Sequence, residues 1–234
     1  MKHWPLMISI IASGLLAGCS TTSTLHYDLK AATPATPISS APTLMQYQLA
    51  QVAVPESIDI ESLVVRQPNN SLMVLSHDRW VAPLREVLQN ALTASLTQSM
   101  GTPPLPGNML AGTPARQAQP VAEVLVNVEQ FEMQPANQAR LSALWQIRFP
   151  NTNSKMTTRA ITCYSTLSQA VVPGVSALVA AQQLNVQQLG QQIANTLKTG
   201  QPPQASNCQI ESASNAWNAS NASNALQSTS TRAG

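Results

Sequence analysis

Between residues 44 and 200 the chain alternates between two rhythms of apolar and polar positions, a period of two and a period near 3.6. Period-two stretches place successive side chains on opposite faces of a strand, and helical periods gather apolar side chains into one stripe. "YQLAQVAVP" (47–55) and "ESLVVRQPNNSLMVLS" (61–76) are expected to form strands, the second stretch folding back around Pro68-Asn69-Asn70. From Asp78 the pattern becomes helical: Trp80, Leu84, Val87 or Leu88, Ala91 and Leu96 form a stripe, with Asp78 or Ser76 as its cap and Pro83 in the first turn. "VAEVLVNVEQFEM" (121–133), "RLSALWQIRF" (140–149) and "MTTRAITCYSTL" (156–167) return to period two, with Leu141, Ala143, Trp145, Ile147 and Phe149 on one face. Turns are expected at 134–138 and 150–154. A second amphipathic helix carries Val186, Leu189, Ile193 and Leu197, with Gly200 as its C-terminal cap. The expected architecture is an α+β single domain, mainly an antiparallel sheet with two amphipathic helices packed on one face.

The flanks follow neither rhythm. Residues 1–18 contain Lys2, then an apolar run from Trp4 to Leu16 and two small residues, the layout of a secretory signal too short to span a bilayer. Leu16-Ala17-Gly18-Cys19 is similar to the bacterial lipobox, in which the cysteine thiol is acylated and the chain is cut before it. Residues 19–43 are therefore read as a lipidated N-terminus and flexible tether, Pro-, Ala- and Ser/Thr-rich from 30 onward. Ser20, rather than Asp, follows the cysteine, and by resemblance to enterobacterial lipoproteins this favours the outer membrane. The domain is assigned to 44–210, with a Pro/Gly-rich surface loop at 101–120, and residues 211–234 to a low-complexity disordered tail.

Composition narrows the function classes. Charged residues make up 9% of the chain and the formal net charge is +2, which gives no electrostatic footing for nucleic acid. With Cys19 acylated, Cys163 and Cys208 remain in an oxidising compartment, either bonded to each other or as two free thiols. No CxxC spacing marks a redox or zinc site, and "VPGVSAL" (172–178) lacks the second glycine of a nucleophile elbow. His77 beside Asp78 reads as a helix-capping pair rather than an acid-base dyad. The expectation is a protein without catalytic residues, metal or cofactor.

A lipobox, "HYDL" (26–29), "VAVPESI" (52–58), "DRWVAPLREVLQNALTASL" (78–96), "VNVEQFE" (126–132), "LSALWQI" (141–147) and "VAAQQLNVQQLGQQIANTL" (179–197) occur in this order. In that order the chain resembles the PqiC/YmbA-type family, auxiliary lipoproteins of ABC-type lipid-transport systems. It departs from the family in having His26 where the first aromatic of a Tyr-Tyr pair is usual, and in its long 101–120 loop. The resemblance implies an outer-membrane-anchored subunit on the periplasmic face that docks or caps a tunnel of an MCE-domain protein. An inner-membrane transport component would be a further partner, and a homo-oligomeric ring would match the tunnel's symmetry. It makes Tyr27, Leu29 and Trp80 candidates for partner binding. For each of the three, packing into the protein's own core is the competing reading. A lipoprotein serving another outer-membrane assembly machinery, or a structural envelope protein, is the alternative function.

Overall fold

Three long strands form an antiparallel meander at the centre of the molecule. The computed structural model describes residues 23–29, 46–106, 121–149, 159–204 and 207–212. The signal segment and Cys19, the Pro-rich stretch 30–43, most of the 101–120 loop, the turn at 150–154 and the tail beyond 212 lie outside the described residues.

The meander consists of β5 (Val121–Gln134), β6 (Gln138–Phe149) and β7 (Arg159–Ala170). β8 (Asn207–Ser212) extends it along β7, and β2 (Gln46–Leu49) lies parallel to β5 at the other edge, giving the order β2-β5-β6-β7-β8. Alternation sends Ala139, Leu141, Ala143, Trp145 and Ile147 of β6 into the core, as their spacing predicts. β5 departs from a simple alternation. Ala122, Val124, Val126 and Val128 are buried, then the register shifts between Val128 and Gln130, and Phe131 and Met133 are buried instead. A bulge there inserts one residue, so the strand changes phase without losing its apolar face.

A second, three-stranded sheet has the order β1-β4-β3, where β1 is Leu25–Tyr27, β3 is Ser62–Arg66 and β4 is Leu72–Trp80. β3 and β4 form the hairpin expected around Pro68-Asn69-Asn70, and Asn70 adopts a φ of 69°, in keeping with a turn residue. β1 joins β4 in parallel, Leu25 opposite Asp78 and Tyr27 opposite Trp80. Each sheet thus has one parallel edge pair, so the sheets are mainly antiparallel, as expected, but not purely so. The reason is topological: the hairpin and the first helix intervene between β2 and β5, a connection long enough to return the chain in the same direction.

Helix α1 spans Leu84–Met100 and α2 spans Val175–Thr199. α2 lies on the inner face of β5, β6 and β7, and α1 packs against α2. Both end at glycines in the left-handed conformation, Gly101 at φ 78° and Gly200 at φ 64°, whose N–H groups donate to the Thr97 and Thr196 carbonyls. The start of α1 corrects the sequence reading. Residues 78–80 are strand, and the helix begins after Pro83 with neither Asp78 nor Ser76 capping it. One early N–H group is served from a distant loop, where Asp59 Oδ1 accepts from Arg85 N at 2.8 Å and Asp59 Oδ2 pairs with Arg85 Nη2 at 2.8 Å. The folded part also reaches back into the stretch read as tether, because residues 25–27 form β1 and Leu29 is buried.

The helices cross where their side chains are small. A Cβ built on Gly190 would sit 2.7 Å from the Ser95 Cβ, closer than carbon atoms approach. Gly190→Ala is therefore expected to lower stability by about 1–3 kcal/mol through overpacking. Combining it with Ser95→Gly should recover part of that loss in a urea-denaturation cycle, and additive costs would show that the two positions do not meet.

Cys163 and Cys208 face each other in the β7–β8 register, with Cα atoms 4.0 Å apart, and are joined as a disulfide closing a separation of 45 residues. A loop of that length predicts a loss of about 3–4 kcal/mol on reduction. Urea midpoints with and without reductant measure it, and labelling of both thiols in unreduced mature protein would contradict the bond.

Candidate functional site

Two of the three candidate partner-binding residues, Tyr27 and Trp80, lie opposite one another in the β1–β4 register. Tyr27 on β1 is half-buried, and its hydroxyl donates to Asp78 Oδ1 on β4 at 3.0 Å. Burial, reinforced by the Asp78 carboxylate, raises the Tyr27 pKa, so the phenol remains a donor. Val81 N donates to the Tyr27 carbonyl at 2.9 Å, which prolongs the contact beyond β4. Leu29 is 2% exposed within the core. Trp80, the last residue of β4, is also 2% exposed and meets Phe131 of β5 edge-to-face, ring centroids 6.0 Å apart at 70°. Leu29 and Trp80 are thus core residues in this fold, and Tyr27 holds β1 to β4. Burial therefore favours the competing reading, packing into the protein's own core, for Leu29 and Trp80, whereas Tyr27 keeps part of its surface exposed beside its bond to Asp78.

A second link between the two sheets is ionic. Arg66 at the end of β3 reaches Glu132 on β5, with Nη2 2.8 Å and Nε 3.1 Å from Oε1, while its Nη1 donates to the Asn70 carbonyl and side-chain oxygen. These residues wall a hollow of about 280 Å³ between the hairpin and β5, whose lining includes Ile58, Val64, Leu72 and Phe131. Two of its charged groups, Arg66 and Glu132, are paired with each other.

The residues singled out for possible chemistry are dispersed. His26 is paired in register with Arg79, whereas His77 is exposed on β4 and its neighbour Asp78 is engaged by Tyr27. The His77-Asp78 pair caps no helix, because both residues are in a strand. Among the described residues no group of three or more His, Cys, Asp or Glu side chains is placed to hold a metal ion. Cys19 lies outside the described residues.

The sequence reading missed one surface feature. Leu72, Met73 and Val74 on β4 are 53%, 44% and 55% exposed, and Leu25 on β1 is 54% exposed. They belong to the small sheet, where β1 covers only residues 78–80 of β4 and leaves the edge from 72 to 77 unpaired among the described residues. The stretch from Gln67 to Ser76 contains no charged residue, and that was the available signal. Natural edge strands usually carry charges or proline inside the strand to discourage pairing, and the unpaired part of β4, residues 72–77, carries no Asp, Glu, Lys, Arg or Pro.

The far side of the larger sheet is different in character. Ser142 Oγ donates to Gln130 Oε1 at 3.1 Å, Gln146 Nε2 donates to Thr162 Oγ1 at 2.8 Å, and Arg148 pairs with Glu123 at 3.2 Å. Cross-strand pairs of this kind bond polar side chains to each other on a face that also carries Leu144, 39% exposed. Among the described residues, no helix is long and apolar enough to cross a membrane.

Comparison with known proteins agrees with this picture of a small scaffold. A crystal structure of an uncharacterized protein has the same fold, at a TM-score of 0.56 and 18% identity, over 75% of this chain and 99% of that one. The crystal structure of protein XCC0632 from Xanthomonas campestris, a DUF330 family protein, is similar at a TM-score of 0.47 and 16% identity, over 75% of this chain and 96% of that one. A search of curated proteins finds no match. The family model described as "ABC-type transport auxiliary lipoprotein component" matches residues 27–194, which run from the Tyr27 contact through most of α2. On that match, spanning most of the sequence, the chain belongs to the ABC-type transport auxiliary lipoprotein component family.

Proposed function

We propose that this protein is a non-catalytic adaptor, acylated at Cys19 and held at the periplasmic face of the outer membrane. There it docks or caps the tunnel of an MCE-type system that moves phospholipid between membranes. The observation that carries the reading is the family match over residues 27–194, which makes the chain an auxiliary component of an ABC-type transport system. Physical features support the finer statement. Moving a lipid between membranes breaks no covalent bond, so the protein's contribution is to fix one end of an apolar path at the correct surface. A rigid domain on an acyl anchor does that without a reactive centre. Two or more acyl chains, at about 0.8 kcal/mol per buried methylene, give stable attachment where a single chain gives only reversible binding.

The proposed organisation is a lipidated N-terminus, a short connection to the α+β domain and a low-complexity C-terminal tail. Its partners are an MCE-domain tunnel protein and an inner-membrane transport component, and a ring of copies would match a tunnel with rotational symmetry.

Cys19→Ser is expected to move the protein from the membrane fraction to the soluble periplasm and to remove the acyl mass from the mature chain. Unchanged membrane fractionation would refute the anchor. Crosslinking from the mature protein in intact cells is expected to capture an MCE-domain protein. Capture of a peptidoglycan-binding or barrel-assembly component in its place would assign the adaptor to a different envelope machinery.

A further inference from the structure

We propose that the end of the β3–β4 hairpin, at Leu72, Met73 and Val74, is a second membrane contact that rests on the headgroup layer of the bilayer holding the acyl anchor. The proposal rests on the acylation of Cys19 put forward above and adds a surface of the folded domain to it.

Three observations lead there. First, the hairpin end presents a run of large apolar side chains at about half exposure, on a stretch with no charge from Gln67 to Ser76. By strand alternation Leu72 and Val74 share one face of β4 and Met73 lies on the other, so each face of the strand carries a large apolar side chain at about half exposure, Leu72 beside its cross-strand partner Arg66. Such a patch on a folded domain marks a contact surface.

Second, direction. β1 runs parallel to β4 with Leu25 opposite Asp78, so the chain preceding Leu25 enters the fold from the side on which β4 leads back toward Leu72.

Third, length. Cys19 lies six residues before Leu25, as Leu72 lies six residues before Asp78. Six extended residues reach at most about 20 Å, and the same number along β4 covers about 20 Å. The acylated sulfur is therefore leashed to within about one hairpin length of β1, and the bilayer that takes its acyl chains is within reach of the hairpin end.

The unpaired edge of β4 sets the depth. Its open N–H and C=O groups need water or headgroup oxygens, which excludes the hydrocarbon core and places the contact at the interface. Two contacts, one covalent and one through the hairpin, fix the tilt of the domain on the membrane, whereas a leash alone leaves it free to swing.

The test replaces the natural anchor, so that it does not depend on acylation. The mature chain carrying hexahistidine in place of Cys19 is bound to phosphatidylethanolamine and phosphatidylglycerol vesicles that contain a nickel-chelating lipid. Hydrogen exchange is then compared with that of the same chain free in solution. The amides of residues 71–77 are expected to exchange about ten-fold more slowly on the vesicles. The triple change Leu72→Ser, Met73→Ser, Val74→Ser should abolish that protection while leaving the melting temperature near that of the parent, since all three side chains are exposed. Leu72→Ser alone should reduce it part-way. Equal exchange with and without vesicles would overturn the proposal. So would protection that appears in solution and grows with protein concentration, which would assign the edge to a second copy of the chain. Failure of the anchor itself would show separately, as a missing acyl mass on Cys19.

Discussion

The fold depends on one covering relation, the burial of the inner face of the five-stranded sheet beneath α2. Apolar area supplies the drive, since β5, β6 and β7 turn Val124, Val126, Leu141, Trp145, Ile147 and Ile161 toward the helix side and leave almost none of their surface to solvent. Burial alone does not fix where a helix lies. Amide side chains do that here: Gln182 Nε2 donates to the Glu132 and Arg140 carbonyls at 2.8 and 3.1 Å, and Asn185 Nδ2 donates to the Ala139 carbonyl at 3.1 Å. Farther along α2, Gln192 Oε1 accepts from Ser165 Oγ at 2.7 Å, and that hydroxyl in turn accepts from Trp145 Nε1 at 2.9 Å. Misplacing the helix would leave these buried groups without partners, a cost larger than the gain from any one of the bonds. The Gln-rich composition of α2 thus gives its position on the sheet, while its aliphatic residues give its attachment.

Once α2 is placed, α1 follows through the close crossing at Gly190 and Ser95, and Lys198 near the end of α2 donates to the Ser99 carbonyl near the end of α1. The smaller sheet is joined to the rest by burial of Leu63 and Val65 of β3, by the Trp80–Phe131 ring contact and by the Arg66–Glu132 ion pair, and the loop leading into β3 is tied to the helix start by the Arg85–Asp59 pair. The Trp80–Phe131 contact holds the base of the hairpin and the Arg66–Glu132 pair holds its β3 side near the turn, where Leu72, Met73 and Val74 of β4 remain about half exposed. Stability and exposure are therefore divided within one strand, Trp80 closing the core at one end of β4 and Leu72 standing open at the other. The division matters for a tethered adaptor, whose rigid part must keep its geometry while a limited surface meets the membrane or a partner.

Legibility in the sequence followed the range of the interactions. β6 was readable residue by residue because its alternation is local and uninterrupted, and the Gly200 cap was readable because glycine is favoured wherever φ is positive. The β3–β4 hairpin was readable from its turn residues. Trp80 misled because it lies four residues before Leu84 and extends the helical stripe backward, whereas β1 claims residues 78–80 for a strand. Three-residue β1 and six-residue β8 carry too little pattern to stand out, and each exists only because a longer strand offers it an edge. The candidate site was legible to a smaller degree. Tyr27 and Trp80 do lie opposite each other, but Trp80 and Leu29 are buried in the protein, and the exposed hairpin end went unnoticed because Leu72-Met73-Val74 reads from sequence as ordinary strand.

What the amino-acid order determined by itself was the set of long elements, their apolar faces and a composition poor in charge, because these depend on residues within a few positions of one another. What only the tertiary structure decided was the parallel edges, the phase change at the β5 bulge, the remote cap from Asp59 and the apolar residues left outside. Each of these is a matter of which distant segment arrives to pair or cover. Local periodicity carries no information about that arrival, since a leucine in a strand has the same pattern whether a helix comes to bury it or nothing does.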